Sequence, residues 1–256
     1  MRKLKVSVVG ALLVATVSLN AETKSSFTDR AYASVVKLAE QGNPNALFAL
    51  GEMNYLGMGV KKDYKKALYY FKEAAERGHI KAQFNLGYMY HNGIGVEKNF
   101  KEALKWFQKA ADKGDPKSML YLGDIYYKGE GVPNNEIDYA KALYWYTMAS
   151  KQGYPQADYK LGEMFYEGKG VKQDLEKARK LFLHAAEQGH AGAQFFLGQM
   201  YLTGKGVHKD MKKAKRWMQE AYMNGYQDAK KVLDTYGWEA VIRKETLPGY
   251  EESHSG

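Results

Sequence analysis

Apolar positions along the chain recur with two nested periods. The short one is helical: Ala46, Leu50 and Met53 fall at i, i+4 and i+7, one face of a helix predicted over about Asn45 to Leu56. The long one repeats the whole pattern. Leu-Gly stands at Leu50-Gly51, Leu86-Gly87, Leu122-Gly123, Leu161-Gly162 and Leu197-Gly198, in steps of 36, 36, 39 and 36 residues. A second marker, Gly-x-Gly-Val, keeps the same phase, starting at Gly57, Gly93, Gly129, Gly168 and Gly204. Three extra residues after Val132, within the stretch Pro133 to Asp138, account for the longer step. An insertion confined to a loop leaves the repeat intact.

Each copy predicts two helices. Pro44, Pro116 and Pro155 stand at the start of a first helix (A), where a missing N–H costs nothing. Gly57 and its equivalents follow that helix, where a left-handed residue closes it. A second helix (B) opens at Asp63, Asn99, Asp138, Asp174 and Asp210, each an N-cap candidate, and ends again at glycine. The short connections require A and B to pack antiparallel. Gly51, Gly87, Gly123, Gly162 and Gly198 fall mid-helix, where each costs about 1 kcal/mol relative to alanine. A choice so unfavourable locally, made five times, implies close approach of a neighbouring helix. Ala67, Ala103, Ala142, Ala178 and Ala214 predict the same for helix B, with Tyr70, Trp106, Trp145, Leu181 and Trp217 as the large core column beside them. The array extends past five copies: residues 22–43 hold a capping helix, since Asp29 to Gly42 align with a helix B. Residues 44–238 hold the five repeats and a last capping helix from Tyr226, atypical because a terminal unit has one face in water. Twelve helices result, followed by a flexible tail over 239–256 with Pro248-Gly249.

The first 21 residues break this pattern. Arg2, Lys3 and Lys5 precede an apolar run from Val6 to Val17, then small and polar residues, the layout of a secretory signal peptide. The run is about a dozen residues, whereas a spanning helix needs roughly 20. Retention as an N-terminal anchor is the alternative. Cleavage after Ala21 puts Leu19 at the −3 position and cleavage after Ser18 puts Thr16 there, so the cut position stays open. Removing the segment leaves 35 cations against 29 carboxylates, a net +6 spread along the chain, which argues against nucleic acid. The absence of cysteine excludes disulfides, a thiolate metal site and a Cys nucleophile.

A two-helix unit with Leu-Gly, Gly-x-Gly-Val and an Ala-Ala-Glu-x-Gly ending resembles the Sel-one-like repeat, a relative of the tetratricopeptide repeat. The best copies are Ala46 to Gly78 and Ala193 to Asp210, and the likeness runs from about Asp29 to Tyr236. The resemblance implies an all-α fold, a right-handed superhelical solenoid of antiparallel helix pairs, whose concave A-helix wall binds a protein or peptide. It also implies adaptor and scaffold roles, in exported members within the bacterial envelope. Some exported relatives staple each helix pair with cysteines, which this chain lacks.

If A helices line the groove, positions not needed for packing should vary between copies. Ala49, Asn85, Tyr121, Lys160 and Phe196 do so, as do Glu52, Tyr88, Asp124, Glu163 and Gln199, at i and i+3 on one face. Tyr88, Tyr121 and Phe196 are the expected aromatic anchors; packing on their own neighbours is the other reading. The candidate partner surface is therefore Glu52, Asn85, Tyr88, Tyr121, Asp124, Lys160, Glu163, Phe196 and Gln199. Its acidic members argue against a groove that tracks phosphates. The basic helix Asp210 to Glu220 reads as a solvated face rather than a lipid-binding one, because Trp217 belongs to the core column.

The enzymatic alternative is an envelope hydrolase or penicillin-interacting protein using Ser34 and Lys37, a Ser-x-x-Lys match. With nine serines about one such match arises by chance, and neither Ser-Asp-Asn nor Lys-Thr-Gly accompanies it. His79 and His190 share one inter-repeat turn, where a capping or solvent role suffices, and the six histidines form no helical metal pair. Gly168-Lys169-Gly170 and Gly204-Lys205-Gly206 lack the Ser or Thr of a phosphate loop. The expected protein is an exported, non-catalytic adaptor, periplasmic or secreted. It has no cofactor, metal or nucleic acid, no stable membrane insertion after signal removal, and a place in the cell envelope.

Overall fold

The computed structural model describes residues 32–240. The expected signal peptide, residues 22–31 of the expected capping segment and most of the expected tail lie outside them. The described residues form twelve α-helices and one 3₁₀ turn, with no strand. Residues 32–40 are helical (α1). The first helices of the five pairs are α2 (Pro44–Leu56), α4 (Ile80–Asn92), α6 (Pro116–Lys128), α8 (Pro155–Glu167) and α10 (Ala191–Thr203). Their partners are α3 (Tyr64–Glu76), α5 (Phe100–Ala111), α7 (Tyr139–Ser150), α9 (Leu175–Glu187) and α11 (Met211–Met223), and α12 (Asp228–Thr235) ends the array. The chain divides into two compact units, Met1–Ala142 and Leu143–Gly256, with the division inside α7. Within each unit successive helices pack pairwise, the α-solenoid class expected from the sequence.

The local signals act as read. Asp63, Asn99, Asp174 and Asp210 accept backbone N–H groups at the starts of α3, α5, α9 and α11, and Asp138 accepts from Lys141 N–H at the start of α7. The inserted residues make the 3₁₀ turn Pro133–Asn135, with Asn134 and Asn135 at positive φ. The Gly-x-Gly pair does two separate jobs. Gly93 closes α4 in the left-handed region, at φ +70°. Gly95 lies against the preceding repeat, where a Cβ would meet the Tyr64 carbonyl oxygen at 2.7 Å, so its missing side chain sets the stacking distance.

Ala67, Ala103, Ala142, Ala178 and Ala214 are fully buried. The large-residue column needs a correction. Trp106 and Trp217 are buried, but Tyr70, Trp145 and Leu181 are only half-buried. The fully buried layer is one residue later: Phe71, Phe107, Tyr146, Phe182 and Met218. The reason is helical phase. Ala67, Phe71, Ala74 and Ala75 share the stripe i, i+4, i+7, i+8, whereas Tyr70 sits at its edge.

These side chains explain the mid-helix glycines. A Cβ on Gly51, Gly87 or Gly162 would come within 2.5, 2.8 and 2.6 Å of the ring of Phe71, Phe107 or Phe182. At Gly198 the obstacle is Met218, whose Cε stands at 2.9 Å. A ring held between helices cannot retreat, but a thioether can change rotamer. Gly162→Ala should therefore cost about 1–3 kcal/mol through overpacking. Gly198→Ala should be neutral, or stabilising by up to about 1 kcal/mol from helix propensity. Melting temperatures of the two variants check the pair, and equal losses would contradict it.

Candidate functional site

Side chains on the A helices that leave the core form a cluster within each unit. In the first, Tyr55 of α2 and Phe84, Asn85 and Tyr88 of α4 line a cleft of about 210 Å³. The glycine-mediated approach of the pairs fixes its walls: Phe107 fills the core under Gly87, and Phe84 packs on that ring with centroids 5.9 Å apart. Tyr88 stands 6.2 Å from Phe84 and edge-on to Tyr121 of α6 at 5.9 Å. Tyr121 stacks on Phe107 at 4.9 Å, so its ring is both a shelf on the core and a neighbour of the cleft. Of the expected residues, Asn85, Tyr88 and Tyr121 are thus brought together.

Glu52 precedes Tyr55 by one turn and is half-buried; that burial raises its carboxyl pKa, partly offset by the Lys81 ammonium. Tyr55 is likewise pushed up by burial, then by Tyr88 and Tyr64. Asp124 lies close enough to bear on His91. The His91 ring contacts Phe100, Phe107 and Tyr121, and its buried Nδ1 has no hydrogen-bond partner. Burial, first, and then Lys128 and Lys98 oppose its protonation, against Glu130 and Asp124.

In the second unit Lys160 and Glu163 pair at 3.0 Å, and Tyr159 Oη donates to Glu163 Oε1 at 2.7 Å. Desolvation, then that hydrogen bond, push the Tyr159 phenol far up, so it stays a donor. Phe196 stacks on buried Phe182 at 5.1 Å and meets Tyr159 and Tyr166 edge-on at 5.9 and 5.8 Å. Gln199 is half-buried one turn further along α10. The structure thus ties Lys160, Glu163 and Phe196 into one network through Tyr159.

Tyr55, Phe84, Tyr159 and Tyr166 were missed from sequence. The signal was present, since their columns also vary: Phe48, Phe84, Leu120, Tyr159, Phe195 and Tyr55, His91, Tyr127, Tyr166, Leu202.

Among the described residues neither serine grouping is arranged as an activated nucleophile. Ser34 and Lys37 are both exposed on α1, whereas a lysine that activates a serine needs a desolvated setting. A Ser–Asp–His grouping elsewhere has the wrong order for a triad. Asp158 lies in the middle, accepting from Ser150 Oγ and bonded to His184 Nδ1 at 2.6 Å, so the imidazole meets the carboxylate and not the hydroxyl. Among the described residues no group of three or more His, Cys, Asp or Glu is placed to hold a metal ion. Among the same residues no helix is long and apolar enough to cross a membrane.

The five helix pairs match the family model for the Sel1 repeat, at residues 44–79, 80–115, 116–154, 155–190 and 191–226. The chain is similar to a solved Sel1 repeat protein from Oxalobacter formigenes, with 38% identity, a TM-score of 0.75, and coverage of 81% of this chain and 84% of that one. It is similar to c5321, a protective antigen of uropathogenic Escherichia coli strains with an SLR fold: 30% identity, TM-score 0.51, 92% of this chain and 61% of that one. The immunity protein PA5088 from Pseudomonas aeruginosa shares the fold at 22% identity and a TM-score of 0.53, over 90% of this chain and 84% of that one. None of the curated proteins matches the chain.

Proposed function

This chain belongs to the Sel1 repeat family, and from that premise we propose that it is an exported, non-catalytic adaptor that grips a protein or peptide on the A-helix face. Repeats of this family serve as protein-interaction scaffolds, typically without catalysis. The observation that carries the reading is the cleft between α2 and α4. Three tyrosine or phenylalanine rings and one amide surround a space of about 210 Å³, the setting in which one apolar side chain of a partner is desolvated while Asn85 meets its main chain. The Tyr159, Glu163 and Phe196 network offers a second set of contacts on the same kind of face. Export rests on the charged, then apolar, first 21 residues, and the partner is accordingly sought in the periplasm or outside the cell.

Replacing Asn85 with a photo-crosslinking amino acid in the producing cell tests the surface. The expected result is one dominant adduct, absent when the crosslinker replaces exposed Tyr69 of α3 and reduced about tenfold or more by Tyr88→Ala. Tyr88→Ala should keep its helicity and melting, because Tyr121 and not Tyr88 stacks on Phe107. Equal adducts from positions 85 and 69 would defeat the assignment. Mass spectrometry of the mature chain tests export; an intact Met1 in the cytoplasmic fraction would defeat it.

A further inference from the structure

The residue before each A helix is Asn43, His79, Asp115, Tyr154 or His190. Four of these close the helix start. Asn43 Oδ1 accepts from the N–H groups of Asn45 and Ala46, and Asp115 Oδ2 accepts from Ser118. His79 Nδ1 accepts from Ala82 N–H at 3.1 Å, and His190 Nδ1 from Ala193 N–H at 3.1 Å. Tyr154 makes no such bond. An imidazole nitrogen accepts only while it carries no proton. Protonation sets one donor against another and places a positive charge at the positive end of the helix.

The surroundings hold both rings in the capping pose. His79 stacks on Phe48 of α2 at 4.3 Å. His190 stacks on Tyr159 of α8 at 4.5 Å, and its Nε2 bonds Gln156 Oε1 at 2.6 Å, an acceptor that keeps the proton on Nε2 and the lone pair on Nδ1. The charges that bear on the rings are cationic: Lys81 of α4 for His79 and Lys160 of α8 for His190. The carboxylates nearby act on those lysines. Glu52 of α2 interacts with Lys81, and Glu163 of α8 pairs with Lys160.

We propose that His79 and His190 are acid-sensitive latches on α4 and α10, the helices that present Asn85, Tyr88, Phe196 and Gln199, so that mild acid frees both helix starts and weakens partner binding. Burial first, and then those lysines, hold both imidazoles below their ordinary pKa of 6.5. The unfolded chain then binds more protons than the folded one in that range. Stability is full above 6.5 and is lost as pH falls through that value toward the lower folded pKa. The latch stands on the capping geometry alone; its effect on binding rests on the proposed function.

Amide hydrogen exchange of the whole mature chain, corrected for intrinsic rates, separates the two at about pH 7.5 and about pH 5. Protection at Ala82 and Ala193 should fall roughly fivefold more than at Ser118, the size of one lost cap. The variants His79→Asn and His190→Asn, which copy the cap at Asn43, should abolish that difference. His91 also resists protonation, so acid sensitivity of the global melt does not discriminate and the local comparison does. An equal fall at Ser118, or a fall that survives in the asparagine variants, overturns the latch. Crosslinking yield at position 85 should drop with pH in the parent chain and not in the variants. A latch visible by exchange with an unchanged yield overturns its coupling to binding and leaves the capping result standing.

Discussion

Phe107→Ala is expected to destabilise the chain by about 3–5 kcal/mol, the usual cost of deleting a fully buried ring. The ring has no exposed surface. It lies on Gly87, where a Cβ would come within 2.8 Å, and it carries Tyr121 at 4.9 Å and Phe84 at 5.9 Å. Backbone packing fixes the space it fills, so α4, α5 and α6 cannot collapse into the void without moving Gly87. Repeats hold each other through nearest neighbours, so the loss should be largest around α4 to α6. Urea unfolding followed by far-ultraviolet circular dichroism, with hydrogen exchange resolved along the chain, measures both the size and the place. Binding should fail together with stability, because Tyr121 and Phe84 lose the surface that orients them. Tyr88→Ala separates the two effects. A cost below about 1 kcal/mol for Phe107→Ala would mean that the ring is not the spine of its repeat.

The same comparison shows how far the sequence could be read. Features that each copy must solve alike were legible because they recur: Gly87 and its equivalents signalled close approach before any partner was known. The capping aspartates and Pro44, Pro116 and Pro155 marked helix starts for the same reason. The large column was misplaced by one residue because tryptophan bulk drew attention to Trp106, while helical phase put Phe107 over the glycine. Variation between copies marked a candidate face, and the columns of Tyr55 and Phe84 vary as well, but nothing in it showed that these two rings meet. Tyr55 and Phe84 become one surface only when α2 and α4 are adjacent, and no pattern within a single helix carries that information. Side chains that answer one another across helices were the least visible, as the group around Asp158 shows.

Removing both Ser150 and His184 as alanines should cost about 2–4 kcal/mol, because a buried carboxylate loses both partners and water replaces only exposed His184. Asp158 is 2% exposed and occupies a column otherwise filled by Leu47, Gln83, Met119 and Gln194, all buried. The two glutamines settle there by donating, Gln83 to Ala75 O and Gln194 to Ala186 O, each at 3.0 Å. An aspartate cannot donate, so this copy changes the opposite position instead. Ser150 stands where three of the other copies have Ala75, Ala111 and Ala186; its hydroxyl donates to Asp158 Oδ1, and His184 Nδ1 meets Oδ2 at 2.6 Å. Ser150→Ala alone should cost about 1–3 kcal/mol, one lost donor to a buried group. Adding Asp158→Leu to the double variant should return most of the loss, since it recreates the apolar pair Ala39 and Leu47 that the first copy already buries. Urea midpoints of the three variants form the cycle. If Asp158→Leu deepens the loss, the carboxylate is held by something other than these two side chains, and the column is not interchangeable between copies.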